Sequence, residues 1–218
     1  EYYRGVNADY LALMQKNLNL KIIIKQYDNE QEALAALASN DVDTLITQLS
    51  RRQDVGGNLL RTSVLLTTWP TLVTSLKNTM LPLTTNHQVS VACVRDCPFL
   101  DVIQGAFPEA KVSFYDDEYQ AMASVVNGDN QYYIGNNITS SHCISRYFSQ
   151  SLVITHYFDK QEQYNYFVVN EDQPVLRNIL DGFITSISNE IHMQVMQNWL
   201  NRGNLAYLNA PIPFTAQE

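Results

Sequence analysis

Positive charge is scarce in this chain: 14 Lys and Arg stand against 22 Asp and Glu, a formal net charge of −8 over 218 residues. A surface so acidic repels phosphate backbones, and no basic run interrupts it, which excludes nucleic acid as a partner. Long apolar runs are missing too. No stretch approaches the ~18 apolar residues that a membrane span needs, so no membrane contact is expected from this segment. The first residues, Glu-Tyr-Tyr-Arg, are no basic-then-apolar leader, and a soluble excised domain with its targeting information elsewhere is the expectation. There are only three cysteines, Cys93, Cys97 and Cys143, which is no disulfide scaffold. One bridge plus a free thiol, with Cys97–Cys143 the first pair to examine, and three buried thiols are both open. Cys93 and Cys97 have no second ligand pair at zinc spacing, so no metal is expected. No Gly-rich phosphate loop or nucleophile–base–orienter set occurs, and no cofactor and no enzymatic activity are expected of this chain.

What is present is material for a core. Apolar residues make up 45% and charged residues 17%, far from the composition of disorder. Tyr10, Leu11, Met14 and Leu18 recur at helical spacing, with Asn7 as a candidate N-cap. Lys21–Tyr27 (KIIIKQY) is rich in β-branched residues and reads as a strand. Asn29 with Glu32 opens a second helix in a capping-box pattern, and Asp43–Gln48 reads as the next strand, completing a βαβ unit with parallel strands. Ser50–Asn58 is loop chemistry, and extended stretches follow at 59–66 and 71–76.

The pattern then restarts. Val89–Val94, Lys111–Tyr115, Gln131–Gly135 and Leu152–Phe158 read as strands. Helices lie between them, with Pro98 at a helix start, Asp116 or Asp117 as a cap and Gly128 as a stop. Tyr164–Val169 is extended, and helices near 173–188 and 190–201 close the chain. Two such systems in series predict an α/β fold of two lobes. The first is discontinuous, residues 1–84 and 162–218, and the second is 85–161. Ligands of such folds bind beyond the carboxyl ends of the strands.

Several strings carry a resemblance: Asn7-Ala-Asp-Tyr-Leu11, Glu32-Ala-Leu-Ala-Ala-Leu37, Asp41-Val-Asp43, Pro82-Leu-Thr84, Tyr119-Gln-Ala121, Ser145-Arg-Tyr-Phe148, Gln163-Tyr-Asn165 and Gln197-Asn-Trp-Leu200. With this element order, the chain resembles the type-3 extracellular solute-binding family, the bilobed type II periplasmic-binding-protein-like Venus flytraps. It is more closely similar to the first periplasmic flytrap domain of EvgS/BvgS-type hybrid sensor histidine kinases. The resemblance implies a periplasmic sensory module of an inner-membrane protein in a Gram-negative bacterium. It also implies an adjacent second flytrap domain in the same chain, a dimeric kinase, and a small-molecule ligand that the sequence does not identify. The family begins with a strand before the first helix, whereas this sequence starts just upstream of that helix. Pro211–Glu218 reads as a linker to the next module.

The resemblance also directs attention to a cleft. Arg51 and Arg52 fall where family members hold a ligand carboxylate; a solvated loop pair is the alternative. Asn136 or Asn137 stands where an acidic residue would hold an ammonium, and a neutral amide cannot supply that charge-assisted bond. Asn136, Asn137, Thr139 and Ser140 offer amides, hydroxyls and helix N–H groups to a ligand, or else cap a helix. Arg95 and Asp96, after the first strand of the second lobe, pair with each other or bridge the lobes. Trp69 and the tyrosines floor a pocket or fill a core. Among four histidines, His87 falls at the connector between lobes and is the candidate for sensing mild acid.

Overall fold

The computed structural model describes residues 5–50, 58–78, 88–95 and 97–200. The chain divides into two compact units, Glu1–Pro70 with Phe158–Val195 and Thr71–Tyr157 with Met196–Glu218. The outward break thus falls earlier than the expected 84/85, because the strand Pro70–Ser75 pairs with Leu152–Tyr157 rather than with anything in the first unit.

The first unit opens with α1 (Val6–Leu18), capped by Gly5 rather than by Asn7. Gly5 has φ 137°, a conformation that side chains resist. After α1 the expected strand at 21–27 is not formed. These residues join no sheet, and Ile23 is 74% exposed. Lys25 and Tyr27 are tethered instead to the Asp41 carboxylate at 2.7 and 3.0 Å. β-branched residues favour a strand only where a neighbour packs against them, and no described strand lies beside this one. Helix α2 (Glu30–Ala38) follows the capping-box expectation. Asn29 Oδ1 accepts from Glu32 N–H, and its amide donates to the Glu32 carboxylate, each at 2.9 Å.

Three strands, β1 (Leu45–Ser50), β2 (Leu59–Arg61) and β3 (Leu66–Thr68), all pair antiparallel with β9 (Gln163–Asn170). The parallel βαβ unit expected at the start of the chain is therefore corrected. β1 takes its hydrogen bonds from a strand over a hundred residues downstream (Leu45 opposite Val168). Phe167, Val168 and Val169 are wholly buried, which makes β9 the spine of this unit. Helix α6 (Pro174–Ser186) has Pro at its start, where the missing N–H costs nothing. It buries Leu180, Phe183 and Ile184. Helix α7 (Asn189–Gln197) begins in this unit, and its His192 Nδ1 lies 2.7 Å from the buried Tyr10 hydroxyl.

In the second unit the strands expected near 89–94, 111–115, 131–135 and 152–158 all form, and Pro70–Ser75 joins them. Its five strands run β6–β5–β7–β4–β8: Lys111–Tyr115, Ser90–Val94, Tyr132–Asn136, Pro70–Ser75 and Leu152–Tyr157. β5 is parallel to both β6 and β7, as crossover helices require. These helices are α3 (Leu100–Ala106), which starts after Phe99 rather than at Pro98, and α4 (Glu118–Asn127). Asp117 caps α4 by accepting from Gln120 N–H, and Gly128 ends it at φ 86°. Ala121, Met122 and Val125 of α4 pack on Val73, Ala92 and Tyr133 with Cys143, Ile144, Phe148 and Leu152. Fully burying a side chain of the Val, Met or Leu kind stabilises by roughly 1.5–3 kcal/mol.

The disulfide joins Cys93 to Cys97, and Cys143 is the free, buried thiol. This corrects the Cys97–Cys143 expectation, and the sheet explains it. Cys143 packs on the face presented by Ala92 and Tyr133, whereas Cys93, one residue after Ala92, points to the opposite face. Cys97 follows the end of β5 closely and stays beside Cys93.

Candidate functional site

In the second unit the amide and hydroxyl group expected to receive a ligand follows β7 into α5 (Asn137–Cys143). Asn136, half-buried, caps this helix by accepting from Thr139 N–H at 2.9 Å. Asn137 is 3% exposed, and its carbonyl accepts from the Ser141 hydroxyl at 2.6 Å. Ser140 is fully buried and meets the Thr71 hydroxyl at 3.0 Å; that hydroxyl also bonds the Gly135 carbonyl at 3.0 Å. This group therefore secures strand β4 to the turn after β7. Thr139, like His142 on the same helix, keeps a half-open side chain beyond the cap. Asn136 thus serves as the helix cap, and Ser140 ties α5 to β4.

Arg95 extends from the end of β5 and pairs through Nε with Asp116 at 2.5 Å. Both side chains are well over half exposed, so the pair contributes little. Trp69, half-buried, is the single residue between β3 and β4. Arg51, Arg52, His87 and Asp96 lie outside the described residues.

The adjacent His142 and Cys143 form no nucleophilic pair. Burial pushes the Cys143 thiol up to about 11, with Glu118 and Asp117 adding to the shift. The His142 imidazole lies against the Trp199 ring with centroids 4.6 Å apart, and burial holds its pKa below the usual value. A thiol held protonated beside a neutral imidazole is the opposite of an activated nucleophile. Among the described residues, no three His, Cys, Asp or Glu side chains converge as metal ligands.

In the first unit the structure gathers polar residues that sequence reading passed over. Gln48 of β1 stands directly opposite Asn165 of β9, and Asn165 is opposite Leu66 of β3. Direct antiparallel partners share a face, and so do Leu66 and Thr68, two residues apart. Gln48 Nε2 reaches the Thr68 hydroxyl at 3.5 Å. Asn165 is 8% exposed, and its Oδ1 has no hydrogen-bond partner. Beside it in sequence, the Tyr164 hydroxyl donates to Glu162 at 2.8 Å. A buried carbonyl oxygen without a donor is costly, and an incoming N–H or O–H that reached Asn165 on the central strand β9 would be rewarded. The signal was available: uncharged polar residues interrupt LITQLS and YNYFVV, runs that otherwise read as core. Only the register puts them together.

Two compact α/β units, joined by a chain that enters the second and returns to the first, are the architecture of a Venus-flytrap binding domain. The comparisons with known proteins agree. The chain is 40% identical over 215 residues to the sensor protein EvgS of Escherichia coli K12, a match that covers 99% of this chain and 18% of EvgS. The crystal structure of the BvgS periplasmic VFT2 domain from Bordetella pertussis matches with TM-score 0.74 and 25% identity, covering 91% of this chain and 85% of that one. An amino acid ABC transporter substrate-binding protein from Streptococcus pneumoniae, solved with L-arginine, matches with TM-score 0.72. At 12% identity over 91% of this chain and 86% of that one, it shows the fold alone. No protein-family model matches the chain. Over nearly its whole length the chain is similar to a segment of EvgS/BvgS-type sensor proteins and has the fold of a Venus-flytrap domain, and it spans about a fifth of the length of the curated relative it matches.

Proposed function

We propose that this chain is the periplasmic sensory domain of an inner-membrane hybrid sensor histidine kinase, working beside a second flytrap domain of the same polypeptide. It performs no chemistry of its own. A small solute or a proton favours one arrangement of the two lobes, and the kinase reads the change. A stimulus shifts such an equilibrium only by its differential affinity for the two states, about 5.5 kcal/mol to go from 1:99 to 99:1. The observation that carries this reading is the 40% identity to a sensor protein over 99% of the chain. Amino-acid capture has less support, since a neutral Asn136 or Asn137 replaces the expected carboxylate and Asn136 is already committed to capping α5.

The test is a graft of this domain into E. coli EvgS in place of the matching segment, with kinase output followed across pH 5.5 to 7.5 and a panel of small metabolites, ~100-fold above a typical micromolar Kd. Output that changes with pH or with one compound supports the reading. Output that stays constant throughout, together with an unfolding midpoint that neither compounds nor pH move, overturns both the solute and the proton versions. Tight binding of a free amino acid by the isolated domain, with no effect on the grafted kinase, favours instead the receptor of an ABC importer.

A further inference from the structure

The first unit gathers uncharged polar side chains on one face of its sheet. β1 and β3 pair with the same residues of β9, so they lie along its two edges. Adjacent strands are about 4.8 Å apart, which separates the backbones of β1 and β3 by roughly 10 Å. The Gln48 side chain spans that gap above β9 and brings its Nε2 to 3.5 Å from the Thr68 hydroxyl. Asn165 and Gln163 rise from β9 on the same face, since Gln48 stands directly opposite Asn165 and Thr68 directly opposite Gln163. Thr68 is 3% exposed and Asn165 8% exposed, while Gln48 and Gln163 are half-buried. Among the described residues of these three strands, this face carries no charge. The Asn165 Oδ1 has no hydrogen-bond partner. Valine or leucine would fill a buried strand position without that cost. Asn7 and Asn130 also hold an unpartnered Oδ1. The Asn130 amide, however, is anchored to the Tyr115 and Ser124 hydroxyls at 2.8 and 3.0 Å, and Asn7 belongs to the first turn of α1 rather than to a sheet face.

We infer that Asn165, Gln48 and Thr68 form a subsite for an uncharged polyhydroxyl solute, a neutral sugar or polyol held by two adjacent hydroxyls. This rests on the reading of the domain as a solute sensor and names the class of solute. One hydroxyl of the solute donates to Asn165 Oδ1. Its neighbour accepts from the Gln48 amide, which exchanges a long 3.5 Å bond to Thr68 for a shorter one. The Thr68 hydroxyl, released from Gln48, then donates to or accepts from the same pair. A hydroxyl suits this mixed set because it donates and accepts at once. A carboxylate or an ammonium does not, since a charge buried without an opposite charge costs far more than a buried hydroxyl. The unbound chain carries the cost of the orphaned acceptor, and stability given up in this way is a mark of binding groups.

The experiment is thermal unfolding of the intact 218-residue chain with D-ribose, D-glucose, D-galactose, D-mannitol or myo-inositol, set against L-glutamate and L-arginine at the same millimolar concentration. A neutral polyol present at about 100 times its Kd raises the melting midpoint by roughly 5–10 °C. Asn165→Val removes the orphaned acceptor. The variant keeps its midpoint without solute, because an unsatisfied group gives way to an apolar one, while its affinity for that polyol in calorimetric titration falls about tenfold or more. Affinity lost with stability kept is a result that a merely structural Asn165 would not give. Where Asn165→Val does not fold, Thr68→Val, which keeps the side-chain shape and deletes the hydroxyl, decides by the same loss of affinity. No shift from any of the polyols overturns the inference, and so does unchanged affinity in the variant. A shift equal in parent and variant is a solvent effect of the additive and overturns it as well. A shift from glutamate or arginine alone overturns the polyol subsite yet leaves the domain a solute sensor, a reading that the kinase output of the EvgS graft decides separately.

Discussion

The two sheets of this molecule satisfy their strands by opposite means. In the second unit, consecutive strands and helices alternate, and β5 finds its neighbours β6 and β7 within about forty residues through the crossover helices. In the first, β1, β2 and β3 wait for β9, which arrives only after residues 71–157 of the second unit have been traversed. Lys21–Tyr27, as β-branched as any strand here, pairs with nothing described. The contrast teaches that a strand-forming sequence is a request for a partner; where the partner is distant, local pattern says little about pairing.

The second unit's dependence on close packing is the sharper half of the comparison. Gly135 lies two residues from Tyr133, and a Cβ there would overlap the Tyr133 hydroxyl and ring. Gly135→Ala is expected to cost up to about 3 kcal/mol through overpacking, read from urea unfolding. A cost below about 0.5 kcal/mol would mean that this face is looser than described. Next in size is the Cys93–Cys97 bridge, which closes a loop of only four residues in sequence separation. The chain-entropy relation gives about 2 kcal/mol for so short a loop, so a reducing agent, or Cys93→Ser with Cys97→Ser, lowers stability by about that much. An unchanged midpoint on reduction would count against the pairing.

The helix caps compare the units on equal terms. Asn29→Ala in the first and Asp117→Ala in the second each remove a side-chain acceptor from a helix N-terminus, and each is expected to cost about 1 kcal/mol. A cost confined to one unit would show that the other helix is held by packing instead. A smaller effect, visible as a pH slope, belongs to His192. Burial lowers its pKa from the ordinary 6.5, so the unfolded chain binds its proton first. Stability is then full above about 6.5 and falls as pH drops from there toward the lower folded value. Replacing His192 with Gln flattens that slope in urea titrations between pH 7.5 and 5. An unaltered slope would place the titrating group elsewhere. Smallest of all is Ile23→Thr, expected within about ±0.5 kcal/mol because the side chain is 74% exposed. A loss above about 1.5 kcal/mol would mean that 21–27 is packed after all, and the contrast between the sheets would collapse.

Much of the fold was legible from residue types alone. The cap at Asn29, the cap at one of Asp116 and Asp117 and the stop at Gly128 could be read because capping is settled within three or four residues of chain. The strands of the second unit near 89–94, 111–115, 131–135 and 152–158 could be read from local residue pattern, but their order in the sheet, with Pro70–Ser75 inserted between two of them, could not. The candidate site was legible only as residue types. Asn136 and Ser140 have the chemistry of ligand groups, yet one caps a helix and the other bonds Thr71, across a distance in sequence that no local pattern encodes. Gln48 and Asn165 were missed for the same reason: each is a single polar residue in an apolar run until the β1–β9 register sets them face to face.

By itself, then, the sequence determined composition, charge, some of the helix ends and the two-unit α/β plan, because these depend on short-range stereochemistry and on the period of apolar residues. Only tertiary structure decided which strands pair, which cysteines bond and which polar groups are consumed by the fold. Those outcomes turn on which face of a sheet a side chain occupies, and a shift of one residue in register exchanges the two faces.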